Sequence, residues 1–146
     1  MKIYDLDYGE FHTYCDEDIK YQNFNGIVVN NKHKITQLIA SNNEGKIVIW
    51  NFYSRDIIKI INACNYYEYN AICLWDNDYL FAGWGDKTLK LIDLNNFEIV
   101  KTLNGHKTNI TTVKKINHSQ YGEFLISQEK RENSQIKLWG IRKIQK

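Results

Sequence analysis

Short segments rich in Ile, Val, Tyr and Trp recur along the chain, and Asn, Asp or Gly bounds most of them. This pattern is typical of β-strands separated by tight turns, and it predicts three successive groups of strands. The first group is Phe24–Asn31, Ile35–Ser41, Lys46–Phe52 and Ile57–Asn62. The second is Asn70–Trp75, Tyr79–Trp84, Thr88–Leu94 and Phe97–Leu103. The third is Asn109–Ile116, Glu123–Ser127 and Gln135–Ile141, and two strands, Lys2–Leu6 and Phe11–Cys15, precede all three groups.

One segment, Arg55–Cys64, also has some helical character, because Ile57-Ile58 and Ile60-Ile61 could share one face of a helix. Its β-branched residues are stiff at the first side-chain torsion and fit a pleated sheet better than a helix. We therefore expect a strand here, and no segment of the chain shows helical periodicity over a dozen residues.

A sequence repeat underlies the strand pattern. The run Leu89–Asp93 returns in altered form as Ile3–Leu6, Ile47–Asn51 and Ile136–Gly140. One position of these runs is occupied in turn by Tyr4, Trp50, Ile92 and Trp139, with spacings of 46, 42 and 47 residues. Four short strands in a repeat of this length are typical of the blade of a β-propeller.

The repeat predicts an all-β fold, with residues 1–146 forming a partial propeller of about three four-stranded antiparallel blades. Residues 1–22 are expected to end a preceding blade. Residues 23–62 and 63–103 are expected to form two complete blades, and residues 104–146 a third, incomplete one. Closed propellers have about four to eight blades. We therefore expect that further blades or self-association close the ring.

The turns support these divisions. Asn42–Gly45 and Gly85–Lys87 contain the Gly and Asn residues that tight hairpin loops require. The corresponding connection of the third unit, Gln128–Ser134, is longer and contains the run Glu-Lys-Arg-Glu, which predicts a solvated hairpin tip.

Three motifs indicate a family. Leu103-Asn104-Gly105-His106 opens the third unit, and Leu138-Trp139-Gly140 closes it. The second unit contains Ala82-Gly83-Trp84-Gly85-Asp86-Lys87-Thr88 and continues into Leu89-Lys90-Leu91-Ile92-Asp93. With Trp50 in the first unit, these residues resemble the WD-repeat (WD40) family of β-propellers, although each copy is degenerate.

The resemblance implies structural roles for Trp50, Asp86, Asp93, His106 and Trp139. In this family a His, a hydroxyl, an Asp and a Trp can form a buried hydrogen-bonded set within a blade. No unit here has all four residues, since Asn133 lies near the Asp position of the third unit and Glu44 replaces the Asp of the first. We therefore expect hydrophobic burial, more than polar locking, to hold the blades together.

The resemblance also implies a function, namely a non-catalytic scaffold that mediates protein–protein interaction in a multiprotein complex. The alternative is a truncated or degenerate propeller fragment with a purely structural role and no independent partner. An enzyme is not expected, because the sequence lacks the motifs of nucleophilic, metal-dependent or phosphate-binding catalysis.

Composition and charge limit the classes of binding partner and the cellular location that we expect. The formal net charge is +2, which gives no electrostatic reason to expect nucleic acid or an anionic membrane. No apolar stretch approaches the roughly 20 residues of a membrane-spanning helix. The odd set Cys15, Cys64 and Cys73 favours free thiols in a reducing compartment, so a cytoplasmic location is the default expectation. Neither a metal nor a cofactor is expected.

The patch Tyr66-Tyr67-Glu68-Tyr69 has the composition of an interface, because tyrosine combines an apolar ring with a hydrogen-bonding hydroxyl. It falls in the connection between the first and second units. Tyr66, Tyr67 and Tyr69, together with Trp84 at the end of a nearby strand, are therefore candidate protein-binding residues. Packing between blades is the alternative interpretation for all four.

Overall fold

The computed structural model describes residues 2–5, 10–13, 23–32, 35–64, 71–130 and 135–140. Within these ranges the chain forms β-strands and no helix, so the prediction of an all-β fold is confirmed. The strands before and within the first sheet are β1 Lys2–Asp5, β2 Glu10–Thr13, β3 Phe24–Lys32, β4 Ile35–Asn42, β5 Lys46–Asn51 and β6 Ile57–Asn62. Those of the second sheet are β7 Ala71–Leu74, β8 Tyr79–Gly83, β9 Leu89–Asp93 and β10 Glu98–Leu103. Those of the third are β11 Ile110–His118, β12 Gly122–Glu129 and β13 Ile136–Gly140.

Each sheet is a simple antiparallel meander. The first sheet has the order β3-β4-β5-β6, the second β7-β8-β9-β10 and the third β11-β12-β13, while β1 and β2 pair with each other. Arg55–Cys64, the segment with mixed periodicity, contributes β6, a strand as expected. Most predicted strand ends are met within two residues, and β12 continues two residues past Ser127, as far as Glu129.

The strand register reproduces the sequence repeat. Trp50 lies opposite Leu38 in the first sheet, and Ile92 lies opposite Leu80 in the second. Trp139 lies opposite Leu125 in the third. Positions aligned by the repeat are therefore equivalent positions of the three sheets. We call the face of a sheet that points toward the next sheet in the chain its front face, and the opposite face its back face.

The front face of the first sheet packs on the back face of the second. This core contains residues of both sheets that are almost entirely inaccessible to solvent: Ile39, Ile47, Ile49, Ile61, Ile72, Leu80, Ala82, Trp84 and Ile92. Alternation places every second residue of a strand on one face, so β-branched and leucine side chains meet across the contact.

The second and third sheets repeat this contact. Phe81, Leu89 and Leu91 of the second front face pack with Val113 and Leu125 of the third back face. Glycine permits the close approach at each contact. A Cβ atom on Gly26 would lie 2.9 Å from Ile72 Cγ1, and one on Gly83 would clash with Ile110 Cγ2.

The back face of the first sheet carries its own cluster. Leu38, Ala40, Val48 and Trp50 are all buried, and the Phe24 ring meets the Trp50 ring edge-on with centroids 5.6 Å apart. Trp50 is thus a core residue. Among the described residues no helix is long and apolar enough to cross a membrane.

We predict that Trp50→Ala lowers the free energy of unfolding by about 3–5 kcal/mol, because a fully buried aromatic side chain leaves a cavity when truncated. Chemical denaturation followed by circular dichroism measures this loss. Tyr53→Ala is the matched control, since that ring is 77% exposed and its removal should change stability by less than about 1 kcal/mol. Equal losses in the two variants would remove Trp50 from the core.

Candidate protein-interaction site

A chain of buried hydrogen bonds crosses the back face of the third sheet. Trp139 Nε1 donates to Ser127 Oγ at 2.8 Å, and His106 Nε2 lies 2.7 Å from the same oxygen. His106 Nδ1 lies 3.2 Å from Glu129 Oε2. One proton arrangement satisfies every group: the indole donates to the hydroxyl, the hydroxyl to Nε2, and Nδ1–H to the carboxylate.

Glu129 also orders the turn that precedes β11. Its Oε2 accepts the backbone N–H of Lys107 at 2.8 Å and that of Thr108 at 3.3 Å. These bonds, with the Lys107 amide first, hold the pKa of Glu129 below its ordinary value. Burial lowers the pKa of His106, against the opposing effect of Glu129, so the imidazole is neutral at pH 7.

The position of Glu129 corrects two expectations. The run of charged residues that begins with it was expected to be a solvated hairpin tip, yet the Glu129 side chain is buried. It also provides the acidic group of the hydrogen-bonded set, which was expected to be incomplete because Asn133, a residue outside the described ranges, lies near the Asp position. Polar locking therefore does contribute to the third sheet.

The Ser127, His106 and Glu129 side chains have the connectivity of a hydrolase triad. Catalysis would require the hydroxyl to reach a substrate, but Ser127 is completely buried and its oxygen already accepts the Trp139 indole N–H. The arrangement is therefore built to cross-link strands, and it lacks the access that a nucleophile requires.

The second sheet uses an ion pair at the corresponding hairpin. Asp86 Oδ2 accepts from Lys90 Nζ at 2.6 Å, and Asp86 Oδ1 accepts the Thr88 N–H at 3.0 Å. Burial alone would raise the pKa of Asp86, but the hydrogen bonds from Lys90 and Thr88 lower it below its ordinary value. Lys90 Nζ also donates to the Ala63 carbonyl at 2.8 Å, so its charge has acceptors on two sides.

The remaining candidate residues take different places. Asp93 ends β9 and accepts the Asn95 N–H at 2.8 Å, which orders the turn into β10. Trp84 is completely buried between the first and second sheets, which favours its packing interpretation over contact with a partner. Tyr66, Tyr67 and Tyr69 lie outside the described residues.

An exposed apolar face distinguishes the third sheet from the other two. Ile39, Ile47 and Ile49 of the first front face are fully buried, and Phe81, Leu89 and Leu91 of the second are nearly so. The equivalent residues of the third sheet are Ile126, Ile136 and Leu138. Ile136 is 67% exposed and Leu138 is 60% exposed. The third sheet thus exposes to solvent positions whose equivalents are buried in both the first and the second sheet.

A groove runs beside this face along β13. Asn104, Gly105, Lys137, Leu138 and Trp139 line it, and its volume is about 340 Å³. In the first and second sheets the strand equivalent to β13 also pairs with a fourth strand, β6 or β10.

The described ranges contain no cluster of three or more His, Cys, Asp or Glu side chains that could hold a metal ion. The groove and the exposed face therefore offer apolar contact, one cation and backbone hydrogen-bonding groups. This is the chemistry of polypeptide recognition.

Comparison with known proteins agrees with the geometry. The family model "WD domain, G-beta repeat" matches residues 97–140, which include β10 and all of the third sheet. Myosin heavy chain kinase C of Dictyostelium discoideum is 41% identical over 64 residues, which are 44% of this chain. The match spans only 8% of the length of that relative.

We predict that Ser127→Ala destabilises the protein by about 1–3 kcal/mol, because it leaves the half-buried Trp139 N–H and the buried His106 Nε2 without a partner. The matched control is Ser119→Ala in an exposed turn, which should be close to neutral. Urea unfolding of both variants makes the comparison. Equal stability of the two would show that the hydrogen-bonded set contributes nothing.

Stability should also fall as the pH decreases from 7 to 3.5. Both His106 and Glu129 have folded-state pKa values below their ordinary values of 6.5 and 4.5, so the unfolded chain binds more protons. The His106 contribution is present above pH 6.5 and is lost as the pH falls below that value. The Glu129 contribution is lost below about pH 4.5.

Glu129→Gln tests the second step, because its amide cannot titrate. Melting temperatures recorded across this range should fall less steeply below pH 5 in Glu129→Gln than in the native protein. Glu98→Gln, at an exposed position, should retain the native slope. A Glu129→Gln profile that parallels the native one throughout would contradict the assignment.

Proposed function

We propose that this chain, whose residues 97–140 match the WD-repeat family model, acts as a non-catalytic scaffold that binds other proteins within a multiprotein complex. WD40 repeats generally mediate protein–protein interaction. The observation that carries the proposal here is the exposed front face of the third sheet, with Ile136 and Leu138 at positions that are buried in the other two sheets.

The partner that best fits this face is another β-sheet. Inside the chain, the equivalent faces are covered by the back face of the following sheet, which is rich in Ile, Leu and Ala. A further blade that packed in the same way would bury Ile126, Ile136 and Leu138 and would extend the ring. The sheet could belong to a longer polypeptide, to a second copy of this chain or to another protein, since each can present such a surface.

The tyrosine patch remains a second proposed docking element. Tyr66 and Tyr67 fall in the sequence between β6 and β7, and tyrosine has the composition of an interface residue.

Myosin heavy chain kinase C is a kinase by name, but its match covers 64 residues of a much longer protein. The burial of Ser127 and His106 gives no support for catalysis at these two residues. We therefore propose that this chain contributes binding and not phosphoryl transfer.

A quantitative pull-down from an extract of the source cells tests this function. We expect Leu138→Lys to reduce recovery of a reproducible partner by at least fivefold, because a charge must then be buried against an apolar surface. Val100→Lys is the matched control, since Val100 on β10 is 49% exposed and lies in a sheet whose faces are already packed. Tyr66→Ala/Tyr67→Ala measures the contribution of the tyrosine patch separately.

Light scattering on the same samples separates self-association from binding of a different protein. A monodisperse monomer that recovers no partner in any variant would favour the alternative, a structural remnant without an independent partner.

A further inference from the structure

Asparagine is followed by glycine at two places in this chain, Asn25-Gly26 and Asn104-Gly105. Such a pair is chemically unstable in water, because glycine has no side chain to shield its backbone nitrogen from the neighbouring side-chain amide. The reaction also requires a main chain that can rotate until this nitrogen meets the asparagine side chain. The two sites differ in that respect, so the fold should decide which of them reacts.

The main chain at Asn25-Gly26 is enclosed. Both residues belong to β3, and Gly26 lies opposite Ser41 of β4. A Cβ atom on Gly26 would lie 2.9 Å from Ser41 Oγ and 3.3 Å from the Ile72 backbone nitrogen. The first and second sheets therefore hold this part of the main chain between them, and rotation here would require the sheets to separate locally.

The main chain at Asn104-Gly105 is open. The pairing of β10 with β9 ends at Leu103, and residues 104–109 connect it to β11 without strand structure. Asn104 and Gly105 are both exposed. The atom nearest to a Cβ atom on Gly105 would be Trp139 Cη2 at 3.4 Å, an ordinary van der Waals distance. The φ angle of Gly105 is 149°, a value that favours glycine, so the local fold itself retains the reactive pair.

We infer that Asn104 is a site of spontaneous conversion to isoaspartate and aspartate in the folded protein, and that the fold protects Asn25. The Gly105 backbone nitrogen loses its proton to hydroxide and attacks the carbonyl carbon of the Asn104 side chain. The new C–N bond closes a cyclic imide, and the side-chain amide nitrogen takes up a proton from water and leaves as ammonia. A water molecule then opens the imide at either carbonyl, which yields isoaspartate or aspartate.

Either product alters the groove along β13. Asn104 lines this groove together with Leu138 and Trp139, so a carboxylate replaces a neutral amide there. Isoaspartate also adds a methylene group to the main chain shortly before His106, whose Nε2 lies 2.7 Å from Ser127 Oγ. A longer main chain at this point should displace the imidazole and weaken the hydrogen-bonded set of the third sheet.

The experiment incubates the full chain at mildly alkaline pH and follows each asparagine by peptide mass spectrometry, with electron-transfer fragmentation to distinguish isoaspartate from aspartate. Asn104 should react at least about tenfold faster than Asn25 in the folded chain, because Asn25 reacts only after local opening. In urea the two sites should react at similar rates, since the dipeptide is the same. Asn109 is the matched control in the same connection, and it should remain an amide because the β-branched Ile110 follows it.

Two variants locate the reaction and its effect on stability. Asn104→Gln should abolish the modification at this position, because the larger ring that glutamine would form closes far more slowly. The melting temperature of the native chain should fall during incubation, while that of Asn104→Gln should stay close to its initial value. Asn25→Gln is the matched control at the enclosed site, and its melting temperature should fall as that of the native chain does.

The inference is overturned if Asn104 of the folded chain remains an amide over the time in which the unfolded chain reacts, or if Asn25 reacts as fast as Asn104. Formation of aspartate without isoaspartate would also overturn it, because direct hydrolysis gives that result. A melting temperature that falls equally in Asn104→Gln would overturn the proposed effect on the third sheet. None of these results bears on the proposed function, which the pull-down with Leu138→Lys tests separately.

Discussion

Sheet-on-sheet packing is the constraint on which the rest of this structure depends. The first and second sheets each bury a front face against the back face of the next sheet, and the same three positions of both sheets lie at the centre of the contact. A face of this kind cannot be left in water without a loss of hydrophobic free energy, which amounts to about 25 cal/mol for each Å² of apolar surface. The exposure of Ile136 and Leu138 therefore has meaning only because their equivalents are buried twice in the same chain.

Polar groups refine this packing differently in each sheet. The third sheet uses the indole of Trp139, the Ser127 hydroxyl and the neutral His106, and these end at a glutamate that also accepts two backbone amides. The second sheet has Ile92 at the tryptophan position and uses the Asp86–Lys90 pair instead. Where the repeat is degenerate, one set of polar interactions is therefore replaced by another, while the buried positions remain apolar.

The sequence was sufficient to predict the strands because their information is local. Alternating Ile, Val and Leu between turns fixes both the strand and its buried face, and the equivalence of Trp50, Ile92 and Trp139 follows from spacing alone. Glu129 escaped prediction because its partners, His106, Lys107 and Thr108, lie more than 20 residues away along the chain. Its neighbours are charged, so the local pattern indicated solvent.

The interaction site was harder to predict for a related reason. Trp84 has the composition of a contact residue, but the first sheet covers it, and no local pattern reveals such a cover. The groove brings Asn104 and Gly105 to Lys137, Leu138 and Trp139, which lie more than 30 residues away along the chain. The sequence did contain one signal for the charge of this groove. Lys137 and Lys90 share a repeat position, and only Lys90 has an aspartate four residues before it.

The thiol of Cys73 offers a way to follow the contact between the second and third sheets over time. Its sulfur accepts the Lys115 backbone N–H at 3.2 Å from the neighbouring sheet, and burial raises the pKa of the thiol. Alkylating reagents attack the thiolate, so they should react with Cys73 mainly when the two sheets separate. The rate of Cys73 alkylation then measures how often the two sheets separate locally. Binding of a partner at the far side of the third sheet can be recorded as a decrease in that rate.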